Sequence, residues 1–195
     1  MERVEDAVDA LLDAGVIAFD RPFFFFGHSL GALVAFEVAR GLRRRGLPGP
    51  FHLAVSGTRA PMRPRDDKRI SELDDPAFLD HLLRFGGTPD EVSSNPEVMD
   101  LLLPQIRADF AMFERWSHSD PDRVACPVTA FGGDADPEVS VDDIRAWADA
   151  TTGCFRHRIF PGDHFFIQPA RLELFGELRA ISASAPREHK TEVYS

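Results

Sequence analysis

Pro22-Phe23-Phe24-Phe25-Phe26-Gly27-His28-Ser29-Leu30-Gly31-Ala32 is the stretch on which the reading of this chain turns. An aromatic run leads into a serine with a glycine two positions away on each side, and an Ala-rich segment follows. That is the order of a nucleophile elbow, a tight strand-to-helix turn that lifts a serine oxygen clear of a sheet. A side chain at Gly27 or Gly31 is expected to collide with the neighbouring strand or helix. A five-residue pattern recurs by chance, so the weight rests on its flanks. Phe23–Phe26 reads as a short strand buried on both faces. Beyond the serine, Leu30, Leu33, Val34, Phe36, Val38 and Ala39 recur at helical spacing. Arg40, Arg43, Arg44 and Arg45 suit the negative end of a helix dipole. Gly46 and Pro48 then stop the helix.

Val4, Val8, Leu11, Leu12 and Val16 predict an amphipathic N-terminal helix. Further strands are predicted at Phe51–Ser56, Pro127–Phe131 and Phe155–Phe160. Helices are predicted near Val141–Ala150 and Ala170–Ile181. Strands alternate with helices, so the class is α/β with a parallel sheet. The segment from about Arg63 to Asp122 is too long for a simple crossover. It is charged and Pro-rich, then helical, with Pro104 expected to kink or break its second helix. It reads as an insertion over the strand ends, where ligands bind in such folds; a crossover packed on one face is the alternative. One domain is expected over residues 1–182, with a disordered polar tail over 183–195.

The chain has 195 residues, 44% hydrophobic and 28% charged, enough for one domain with a core. Its 17 phenylalanines against one tyrosine point to a core or pocket that takes apolar groups. A net charge of −10 argues against nucleic-acid binding, which wants a basic face. No window is long and apolar enough for a membrane span, and the charged start is unlike a secretion signal. Cys126 and Cys154 read as reduced, buried cysteines of a cytoplasmic protein.

A serine hydroxyl needs an imidazole to take its proton and a carboxylate to orient that imidazole. In the elbow arrangement the chain order is Ser, then Asp or Glu, then His. Gly132-Gly133-Asp134-Ala135-Asp136-Pro137 follows the third strand, and Pro161-Gly162-Asp163-His164-Phe165-Phe166 follows the fourth. His164 is the candidate base. Asp136 and Asp134 compete for the acid; Pro137 forces an extended backbone at Asp136 and favours it, while Asp134 suits a turn. Asp163 is a third choice. No ligand spacing singles out a metal site among Asp134, Asp136, Asp163 and His164, and no cofactor is expected.

These motifs, with Phe36-Glu37-Val38-Ala39-Arg40, Val55-Ser56-Gly57-Thr58-Arg59-Ala60-Pro61, Leu103-Pro104-Gln105-Ile106-Arg107-Ala108-Asp109-Phe110 and Ala146-Trp147, resemble the type II thioesterases that accompany nonribosomal peptide and polyketide synthases. The likeness runs from about Arg3 to Ala180. It implies an α/β-hydrolase fold with a helical lid at about 63–122. It also implies hydrolysis of acyl groups from the phosphopantetheine of carrier proteins, or of small acyl thioesters. By motif, Ser29, Asp136 and His164 form the triad, and the Leu30 N–H is an oxyanion donor. Asp163 departs from the family pattern, which has glycine before the base, and a carboxylate there is positioned to compete for the base's hydrogen bond. Family members also carry a further N-terminal region holding the first strands and another oxyanion donor, which leaves the Phe23–Phe26 strand at an edge. The competing expectations are therefore a catalytically impaired hydrolase domain, or a module that binds a carrier protein through Arg43–Arg45, Arg63, Arg65, Lys68 and Arg69.

Overall fold

The structure, a computed structural model, describes residues 3–63, 69–85, 95–117 and 122–186. Its centre is a parallel sheet of four strands in sequence order: β1 (Phe24–His28), β2 (His52–Ser56), β3 (Val128–Gly133) and β4 (Phe155–Phe160). The register pairs His28 with Ser56, Ser56 with Phe131, and Gly133 with Phe160. All four carboxyl ends therefore share one rim, and Ser29, Gly57, Asp134 and Pro161 step off it as neighbours.

Strand alternation builds a core on each face. Leu53, Val55, Val128 and Ala130 pack with Leu33, Phe36 and Leu42 of α2 (Leu30–Arg44), with Val4 and Val8 of α1 (Val4–Asp13), and with Ile144 and Trp147. These last two belong to α5 (Val141–Arg145) and the 3₁₀ turn Ala146–Ala150 that continues it. Ala54 and Phe131 point the other way, onto Phe160, Phe166, and Leu174 and Ile181 of α6 (Arg171–Ala183). The result is a sheet with helices on both faces.

β1 corrects one expectation. Among the described residues it is the outermost strand, paired with β2 alone, which agrees with the edge position that the resemblance implies but not with burial on both faces. Phe24 and Phe25 are half-buried and Phe26 is 39% exposed, so this strand is not enclosed on both faces. Aromatic content signals a strand but cannot tell an edge from a centre.

The insertion contains α3 (Asp75–Phe85) and α4 (Pro96–Arg115), preceded by a 3₁₀ turn at Ile70–Glu72. Phe78, Leu82, Met99 and Leu103 give it a small core of its own. Asn95 caps α4, its side chain accepting the Val98 N–H at 3.3 Å. α4 runs through Pro104 without breaking. Pro104 and Asp100, whose carbonyl loses its partner, both face solvent, where water replaces the missing bond. Farther along, Met112 and Trp116 enter the main core and anchor the insertion.

The arginine run at the end of α2 is engaged within the chain. Arg43 pairs with Asp122, and Arg45 reaches Asp13 at 2.6 Å and Asp9 at 2.9 Å. Arg44 stands 4.0 Å from Glu37. Arg65 and Lys68 lie outside the described residues, as do His118, His189 and the tail from 187 onward. Both cysteines are free, but neither is fully buried as expected: Cys126 is half-buried, and Cys154 is exposed at the turn into β4. Burial pushes the Cys126 thiol up to about 11. Among the described residues no helix is long and apolar enough to cross a membrane.

Candidate active site

Ser29 caps α2 at φ 53°, ψ −122°, and among the described residues it is the one non-glycine with positive φ. Such a conformation persists only where its surroundings enforce it. Ser29 N–H donates to Ser56 O at 2.8 Å, tying the turn to the end of β2. A Cβ on Gly27 would lie 2.2 Å from Gly31 O, so glycine is required there. Gly31 differs from expectation: a Cβ there meets nothing within 4 Å, because it points away from the strand. The Leu30 N–H belongs to the first turn of α2, where backbone donors have no intrahelical acceptor and the dipole is positive.

The two late loops bring Asp136 and His164 together. His164 Nδ1 lies 2.8 Å from Asp136 Oδ2, with the side chains only 3% and 0% exposed. Asp136 Oδ1 also accepts the N–H groups of Glu138 at 2.9 Å and Val139 at 3.1 Å. The carboxylate is thus fixed from its own loop as well as by the imidazole. Asp134 has a different place: its Oδ1 accepts Gly162 N–H at 2.9 Å and links the two loops. A Cβ on Gly133 would sit 2.3 Å from Asp163 O, so the loops close only over a glycine. Asp163 is exposed and its Oδ1 accepts Phe165 N–H at 2.8 Å. Its carboxylate serves its own turn, while Asp136 holds the imidazole.

Ser29 and His164 line one cavity of about 490 Å³, together with His28, Leu30, Gly57, Arg59 and Val139 of the main body. Its opposite wall comes from the insertion: Ile70, His81, Ile106, Asp109, Phe110, Phe113 and Glu114. Arg107 on α4 keeps that wall in place, donating to Ser71 O at 2.7 Å, Leu73 O at 2.6 Å and Asp75 Oδ1 at 2.6 Å. Glu114 accepts the Ser71 N–H at 3.0 Å and its hydroxyl at 2.5 Å. A more open groove bounded by Met62, Arg63, Asp142 and Arg145 contains none of Ser29, Asp136 or His164.

Sequence reasoning passed over His28. Its ring centroid lies 4.9 Å from that of His164, and its Nδ1 is 2.9 Å from Ser56 Oγ. Burial first, and then the neighbouring His164, push its pKa down to about 4, against an opposing pull from Asp136. Its position beside the nucleophile was the only local signal; the contact itself depends on β2 and on the loop after β4.

A thioesterase-domain family model matches residues 1–181. The gramicidin S biosynthesis protein GrsT of Aneurinibacillus migulanus is 39% identical over 78% of this chain and 60% of its own length. Among solved structures, ClbQ from the colibactin nonribosomal peptide/polyketide pathway superposes with a TM-score of 0.86 at 33% identity, covering 94% of this chain and 78% of its own. YbtT, a type II thioesterase of the yersiniabactin pathway, does so at 0.79 and 31%, covering 92% and 74%. The chain spans about 60% of the length of the curated relative GrsT. With a family model across nearly all of its length and an α/β-hydrolase sheet shared with these structures, the chain belongs to the thioesterase family.

Proposed function

We propose that this chain hydrolyses acyl thioesters by a serine acyl-enzyme mechanism, with acyl groups on the phosphopantetheine arm of a carrier protein as substrate. The observation that carries the reading is the buried Asp136–His164 pair at 2.8 Å, opening onto the cavity that also holds Ser29. Asp136 holds His164 Nδ1, so the proton-accepting role falls to Nε2. Ser29 Oγ attacks the thioester carbon and gives its proton to Nε2. The Leu30 N–H, at the positive end of α2, donates to the oxygen as it gains charge. Collapse of the adduct breaks the C–S bond, and the thiol leaves with the proton from His164. Water, deprotonated by His164, then releases the acid and restores Ser29.

The apolar side of the cavity, Ile70, Ile106, Phe110 and Phe113, suits an acyl chain, and α3 and α4 act as the lid that shields it from water. Carrier-bound acyl groups are the natural substrate class for a relative of proteins from peptide and polyketide assembly pathways. An acyl-carrier protein incubated with this chain should lose its acyl group, and Ser29→Ala should abolish the loss. Equal hydrolysis by Ser29→Ala would overturn the reading.

A further inference from the structure

His28 occupies a place that the elbow does not require of it. Its ring packs on His164 at the wall of the cavity, with Phe165 at 6.2 Å and Phe166 at 6.1 Å between ring centroids. Gly57, at φ +59°, clears the space: a Cβ there would stand 2.5 Å from His28 Cε1 and 3.3 Å from His164 Cε1. On one side His28 Nδ1 meets Ser56 Oγ at 2.9 Å. On the other, Nε2 is buried with no hydrogen-bond partner among the described residues.

That arrangement selects the neutral ring. With Nδ1–H donating to Ser56 Oγ, Nε2 carries only a lone pair, the less costly group to leave unmatched. Protonation would bury both a charge and an unmatched N–H. The titratable groups facing the ring are His164 and Asp136. From β2 and the loop after it come Ser56 and Gly57, and from the loop after β4 come Phe165 and Phe166.

We propose that His28 is a positioning residue for His164: a neutral imidazole, anchored on Ser56, that holds the base's ring against Asp136 and keeps a second cation out of the site when His164 carries the proton. This rests on the reading of His164 as the base for Ser29. Burial against His164, with the imidazole held well below its usual range, agrees with it.

The test is the rate at which a fluorophosphonate labels Ser29, followed from neutral to acid pH in the wild type, His28→Ala, His28→Asn and Ser56→Ala. His28→Ala should slow labelling at neutral pH by roughly tenfold to a hundredfold through loss of alignment. It should also move the acid limb of the profile to higher pH, because water enters beside the base and favours its charged form. His28→Asn, which can bond Ser56 but cannot take a charge, should recover most of the rate. Labelling of folded His28→Ala at the wild-type rate, or slowed by one factor at every pH, would overturn the inference while leaving Ser29 and His164 in their roles. Wild-type protein that is not labelled overturns both. Should His28→Ala fail to fold, Ser56→Ala decides: slowed labelling with a shifted limb supports the inference, and an unchanged profile overturns it.

Discussion

Ser29 sits in a backbone conformation that a side chain disfavours, and the elbow imposes it through the Ser29–Ser56 bond and the contact of Gly27 with Gly31. Strain of this kind costs on the order of 1–3 kcal/mol. Ser29→Gly should therefore raise the midpoint of urea unfolding while removing all hydrolysis; lowered stability would argue against strain at the elbow. Asp136→Asn should lower turnover by up to about 10⁴-fold with little change in fold, since the amide holds His164 in the wrong tautomer; near-normal turnover would remove Asp136 from the mechanism. That Asp136, and not Asp134, meets His164 was legible in the extended backbone that Pro137 imposes. His28 was not legible, because its partners Ser56 and His164 reach it only once β2 and β4 are side by side. Gly31 shows the opposite failure: the motif implied a clash that the helix geometry does not produce.

At the scale of elements, the order of strands and helices was readable because hydrophobic runs and turn residues are local signals. What local signals could not supply was solvent exposure. Pro104 lies in the solvent-facing part of α4, so the helix tolerates it, and Pro104→Ala should stabilise the protein by up to about 3 kcal/mol in thermal or urea unfolding. A destabilised variant would mean that the proline shapes α4 in a way the chain needs. Arg107 binds two backbone carbonyls and Asp75 across the insertion, with its guanidinium 4.2 Å from the Phe78 ring centre. Arg107→Ala should loosen this wall of the cavity, raising KM for an acyl thioester more than it lowers kcat. An unchanged KM would show that the insertion holds its shape without that hub.

For the whole molecule, two features set its behaviour in solution. Among the described residues β1 is paired on one side only and carries the exposed Phe26, an edge of the kind that invites strand pairing between copies. Phe26→Lys should increase the monomer fraction in size-exclusion chromatography. His28 also links stability to pH. Its pKa falls from 6.5 in the unfolded chain to about 4 in the fold, so below 6.5 the unfolded state binds a proton that the folded state does not. Stability is lost as pH falls through that window, by about 3 kcal/mol in all from this group. The loss should be correspondingly smaller in His28→Asn. Every role proposed for the site depends on Ser29 being an activated nucleophile, and peptide mapping after fluorophosphonate treatment is the direct check. The adduct is expected on Ser29 of the folded wild type and absent when His164 is replaced by Ala. No adduct on Ser29, or equal labelling without His164, would contradict it.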